Sequence, residues 1–175
     1  MTNAEFTILS LIVEQPRHGY EIEQVIEERG MRDWTEVGFS SIYYLLKKLE
    51  KAALIHSQSE PAEGRGPARK VYYPTEAGVE ACQQATIVAL ETPHRSYAPI
   101  QLGMANMENV PLAEAVAALM RHQDGLAARL ANIEKRRSGQ PLPEIVAAMF
   151  DYSHTMVSAE MEWIEKFIQQ LGQKQ

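Results

Sequence analysis

SIYYLLKKLEKAALI, residues 41–55, decides how this chain is read. Ile42, Leu45, Leu46 and Leu49 recur at helical spacing and form one apolar face. The remaining surface carries Ser40, Ser41, Tyr43, Tyr44, Lys47, Lys48 and Lys51. Gly38 or Ser40 is read as the start, since small polar residues satisfy the free N–H groups of a first turn. Downstream, Leu54-Ile55-His56 and Val71-Tyr72-Tyr73 are short β-prone runs. They flank a Gly- and Pro-rich stretch from Glu60 to Arg69, which predicts a hairpin with a long tip. Pro74-Thr75 closes the second strand and caps a fourth helix from about Glu76.

Upstream of this stretch, Phe6, Leu9, Ile12 and Val13 share a helical face widened by Ile8 and Leu11, and Pro16 stops that helix. His18-Gly19 reads as a turn. A second helix runs from about Tyr20 to Arg29 with Ile22, Val25 and Ile26 inward, and Gly30 is its C-terminal cap. Three helices and then a hairpin is the order of a winged helix-turn-helix. In that arrangement the third helix buries its leucine row and turns its other face to the DNA major groove. Serine and tyrosine bond to phosphates or base edges, and lysine neutralises phosphate charge. The hairpin tip holds Arg65 and the second strand begins at Arg69-Lys70, placed to lie along the backbone or to reach the minor groove. The expected DNA-binding set is therefore Ser40, Ser41, Tyr43, Tyr44, Lys47, Lys48, Lys51, Arg65, Arg69 and Lys70. Between Gly38 and Tyr73 six basic residues oppose three acidic ones, a local excess of positive charge in a chain whose net charge is −6.

The second half has no strand signals. Pro93 and Pro99 mark a linker with poorly defined structure up to about Val110. From Leu112, the positions Val116, Leu119, Gln123, Leu126, Leu130 and Ile133 step by alternating fours and threes, a coiled-coil seam with one polar member. Ser138-Gly139-Gln140-Pro141 breaks this helix, and another runs from about Leu142 to Leu171. It carries two apolar rows: Met149, Tyr152, Met156 and Trp163, and then Val157, Met161, Ile164, Ile168 and Leu171. A stripe this wide packs against two partners, one of them a second copy of the chain. Leu119, Leu126, Met156, Trp163, Ile164 and Ile168 are the expected dimer interface. The reading is a mainly α chain: residues 1–92 a winged helix-turn-helix DNA-binding domain with a small β-hairpin wing, residues 93–175 an all-α helical dimerisation domain.

With 175 residues the chain has room for two such cores, and 45% hydrophobic with 23% charged residues is ordinary for a globular protein. The net charge excludes a protein that coats nucleic acid by overall basicity. One cysteine, Cys82, excludes an intrachain disulfide and a cysteine-built zinc site. Histidines 18, 56, 94, 122 and 154 are scattered, without a metal-binding pair, and no nucleophile–base motif stands out, so no catalytic residue, metal or cofactor is expected. No apolar stretch approaches a membrane span and the start lacks a basic leader, so a cytoplasmic chain is expected. The competing reading is a winged-helix protein–protein interaction module without DNA binding. Such a module would more naturally show an apolar or acidic third helix.

HGYEI at 18–22, SIYYLLKKLEKAALI at 41–55 and GRGPARKVYYPTEAG at 64–78 resemble the PadR family of bacterial transcriptional regulators. At position 44, where the family most often has proline, this chain has Tyr44. The second half resembles the helical C-terminal domain of the longer PadR members and AphA-type regulators, with AEMEWIEKFIQQL at 159–171 similar to its closing helix. The resemblance implies a homodimeric repressor on a palindromic double-stranded operator. Some members of the family release DNA when phenolic acids or other small aromatic effectors bind.

Overall fold

A reciprocal cap starts the first helix, α1 (Asn3–Glu14): Thr2 Oγ1 accepts from the Glu5 N–H, and Glu5 Oε2 accepts from the Thr2 N–H. The computed structural model describes residues 1–35, 37–38, 41–61, 69–93, 98–139 and 141–173. Expected site residues Ser40 and Arg65 lie outside them. The chain divides into two compact units, Met1–Arg95 and Ser96–Gln175.

In the first unit, α1 is followed by β1 (Arg17–His18), α2 (Gly19–Glu28), a 3-10 turn (Met31–Asp33), α3 (Ile42–Lys51), β2 (Ile55–Glu60), β3 (Arg69–Pro74) and α4 (Glu76–Glu91). The predicted three helices and hairpin are present. Gly30 takes the left-handed conformation at φ 58, as expected of a residue that ends a helix. The strands form one antiparallel sheet in the order β1-β3-β2, with Arg17 opposite Tyr72 and Ser59 opposite Lys70.

Three sequence expectations are corrected here. His18 is not part of a free turn: with Arg17 it adds a third strand on β3. The first hairpin strand is longer than its apolar run, because backbone pairing continues through polar Ser57 to Glu60, whereas the second begins at Arg69 as expected. The third helix begins at Ile42, and Ser41, rather than Gly38 or Ser40, is its boundary residue. The Ser41 hydroxyl donates to the Gly38 carbonyl at 2.7 Å and accepts no bond from the N–H groups of the first turn.

Ile8, Leu9, Ile12, Ile22, Ile26, Ile42, Leu46 and Ile55 are fully buried and make the core, with Cys82 packed at its edge. Burial in these apolar surroundings pushes the Cys82 thiol pKa up, consistent with a packing role. Two backbone positions join α3 to α4. Ala53, after α3, adopts φ 58, and Thr75 donates to the carbonyls of Ala53 and Leu54. Gly78 presses so closely that a Cβ there would stand 1.9 Å from the Leu54 carbonyl oxygen.

The second unit holds α5 (Pro99–Ala105), a 3-10 turn (Met107–Asn109), α6 (Leu112–Arg137) and α7 (Glu144–Gly172). The stretch read as a linker with poorly defined structure thus contains a short helix, with Pro99 in its first turn where a missing N–H costs nothing. The last helix starts later than Leu142 because Pro143 occupies its N-cap. Leu119 and Leu126 of the seam pack with Val157, Ile164 and Leu171 of α7. Across the same hairpin His122 meets Glu160 at 3.3 Å and His154 meets Glu134 at 3.6 Å. Among the described residues, no helix is long and apolar enough to cross a membrane.

Candidate nucleic-acid interface

The apolar row of α3 (Ile42, Leu45, Leu46, Leu49) is buried, which turns Tyr43, Tyr44, Lys47, Lys48 and Lys51 outward. Tyr44 is 65% exposed although it is a large aromatic, and no core contact accounts for it. With Lys47 and Lys51, three and seven residues on, it forms a single stripe along the helix.

The flanks of this stripe are tied to neighbouring elements. On one side Lys48 is ion-paired with Glu5 of α1. Hydrogen bonding to Lys48, then to the Thr2 N–H, holds the Glu5 carboxyl below its ordinary pKa. On the other side the Tyr43 ring lies over the start of α2, where a Cβ on Gly19 would come within 2.7 Å of it. Gly19 therefore leaves the space in which Tyr43 rests.

Farther along, Glu50 accepts from the Ser57 hydroxyl on β2 and, at 3.0 Å, from Lys70 Nζ on β3. The Ser57 bond and then Lys70 hold the Glu50 carboxyl below its usual pKa, and Glu50 in turn raises that of Lys70. Lys70 Nζ also stands 5.1 Å from the centroid of the Tyr72 ring. Its carbonyl lies 3.3 Å from His18 Nδ1. Arg69 is exposed at the start of β3, opposite Glu60. Among the described residues, Lys47, Lys51 and Arg69 are the members of the expected basic set that have no ion-pair partner.

The structure thus brings Tyr43, Tyr44, Lys47, Lys48 and Lys51 onto α3, with Ser41 at its N-terminal boundary and Arg69 and Lys70 on β3. Sequence reasoning passed over Glu5, Gly19 and Glu50. Thr2-Asn3-Ala4-Glu5 carries a capping-box pattern that locates Glu5, and Glu50 is the one acidic residue among the lysines of its helix.

In the second unit the six expected interface residues separate. Leu119, Leu126 and Ile164 are buried inside a single chain, with Ile168 packed against them. Met156 and Trp163 are about half exposed, at 54% and 47%, and Trp163 stacks on Phe167 with centroids 5.1 Å apart. Ile145, Met149 and Tyr152 are exposed on the same helix.

Residues 8–84, which contain α2, α3 and the three strands, match the family model of the transcriptional regulator PadR-like family. Over this region the chain is similar to the PadR-like family. The whole chain has the fold of solved PadR structures. Bacillus subtilis PadR in complex with operator DNA is 18% identical, with a TM-score of 0.74 over 95% of this chain and 98% of that one. The same protein in complex with p-coumaric acid is 16% identical, with a TM-score of 0.79 over 98% and 99%. The PadR-like transcriptional regulator BC1756 from Bacillus cereus is 20% identical, with a TM-score of 0.69 over 98% and 99%. No curated protein matches the chain by sequence. The matched region contains every residue of the expected DNA-binding set.

Proposed function

We propose that the protein is a sequence-specific DNA-binding transcriptional repressor that works as a homodimer. The observation that carries this reading is the exposed Tyr44–Lys47–Lys51 stripe, opposite a buried leucine row on the third helix of a PadR-like winged helix. Tyr44 offers a hydroxyl and a ring to base edges, while Lys47 and Lys51 neutralise phosphates on either side. Ser41 and Tyr43 stand at the N-terminal end of the same helix, the end that enters a groove in this motif. Arg69, together with Arg65, supplies the wing's contact with the backbone. A protein–protein role is less well served by a face of lysines.

The dimer is formed through the α7 row of Ile145, Met149, Tyr152, Met156 and Trp163. Its exposure supports this assignment, since contiguous apolar side chains left in water favour association. Ile164, Ile168, Leu119 and Leu126 support the interface from behind as the core on which α7 rests. A twofold dimer presents two reading helices, so the operator is an inverted repeat with half-sites about 10 base pairs apart or a multiple of that. A small aromatic effector releases the DNA, a reading supported by the p-coumaric acid bound to Bacillus subtilis PadR.

Selection of fragments from the source genome with the purified full chain tests this function. Recovered fragments sharing one inverted repeat are the expected result. Recovery no better than that of bulk DNA overturns it.

A further inference from the structure

We propose that Glu50 is a positioning residue that locks the reading helix to the wing through Ser57 and Lys70, so that both meet a duplex at one fixed angle. The inference rests on the DNA-binding reading above.

Glu50 is the only acidic residue of α3, and it sits in the last turn beside the sheet. Its two oxygens serve two different strands: Oε1 accepts from Ser57 on β2, and Oε2 accepts from Lys70 on β3. Lys70 is gripped at three points, by Glu50, by the Tyr72 ring and, through its carbonyl, by His18 of β1. Helix α3 and strands β1, β2 and β3 therefore converge on Glu50 and Lys70. Their side chains remain 31% and 49% exposed, and ion pairs so open to water contribute little to overall stability. What the arrangement does supply is a defined register between helix and strands. It also occupies the Lys70 ammonium, which sequence reasoning assigned to DNA. A lysine whose charge is already matched by Glu50 gains less from a phosphate, because approach to DNA costs it the carboxylate.

The test uses the full chain carrying Glu50→Gln, Lys70→Gln and the two together. Glutamine at position 50 keeps an acceptor for Ser57 and removes only the charge. In the free protein, hydrogen exchange at residues 55–60 and 69–74 is expected to quicken in Glu50→Gln while that of α1 stays unchanged. On DNA, the ratio of operator to non-specific affinity is expected to fall about tenfold in either single variant, with the double variant no worse, as for two members of one network. Lys70→Gln is expected to leave the salt slope of binding unchanged. Unaltered exchange in Glu50→Gln overturns the lock, whatever the DNA result. An unaltered affinity ratio in a protein that does bind its operator overturns the role in recognition. A slope reduced by about 0.9 in Lys70→Gln shows that Lys70 is instead a phosphate contact. If the parent binds no selected fragment, the proposed function fails, and the exchange experiment alone decides the lock.

Discussion

Lys48 on α3 is ion-paired with Glu5 on α1, and Glu5 is also the carboxylate of the cap that starts α1. One side chain thus closes the first turn of one helix and anchors the flank of another. Because the partners hold the Glu5 carboxyl below its ordinary value of 4.5, the folded chain binds its proton less readily than the unfolded chain. The stabilisation is present above about pH 4.5 and is lost as the pH falls through the folded value. Glu5→Gln retains a side-chain oxygen for Thr2 but not the charge. Its melting temperature is expected to lie below that of the parent at neutral pH, with the gap closing in acid. A gap that stays constant from neutral pH down to about pH 3 would show that charge at position 5 is irrelevant.

The same pairing ranks the lysines of α3. Lys47 and Lys51 have no carboxylate partner among the described residues, whereas Lys48 does. Lys47→Ala and Lys51→Ala are each expected to reduce the slope of log K against log salt by about 0.9, and Lys48→Ala by less. Equal losses at all three positions would mean that DNA takes Lys48 away from Glu5.

The third helix was legible in the sequence because its apolar residues and its lysines fall on opposite sides of one 3.6-residue period. The α6 seam was legible for the same reason. What escaped the sequence is what only tertiary contact creates. Strand β1 has two residues and no alternation, so only its pairing with Tyr72 and Val71 identifies it. Helix α5 is short and begins on Pro99, a proline that reads as punctuation. Glu50 and Gly19 gain meaning from residues distant in sequence, Lys70 and Tyr43. The two rows of α7 were separable by spacing, but only packing shows that Ile164 and Ile168 belong to the row facing α6.

The junction after α3 provides a stability test that does not involve DNA. Ala53 at φ 58 is an L-residue in the left-handed region, a conformation that costs roughly 1–2 kcal/mol and that glycine adopts freely. Ala53→Gly is expected to stabilise the fold by about 0.5–1 kcal/mol, after allowing for the greater freedom of glycine in the unfolded chain. Gly78→Ala should do the reverse, by about 2 kcal/mol or more, because its Cβ collides with the Leu54 carbonyl. Chemical denaturation of both variants checks the signs.

Neighbouring residues on α7 separate assembly from folding. Ile164 is fully buried within the chain and Trp163 is half exposed. Ile164→Ala is expected to cost about 2–5 kcal/mol of stability. Trp163→Glu should leave a folded chain that scatters light as a monomer, where the parent is expected to scatter as a dimer. A dimer undisturbed by Trp163→Glu would remove Trp163 from the interface.

The claim on which the others depend is that the exposed face of α3 reads DNA. Fluorescence anisotropy on a fragment selected by the parent, repeated over a range of salt with the Tyr44→Ala, Lys47→Ala, Lys51→Ala triple variant, tests it most directly. The variant is expected to melt like the parent, to lose its preference for the selected fragment, and to show a slope shallower by about 0.9 for each lysine removed. A folded variant with the parent's affinity, preference and slope would contradict the assignment of this face.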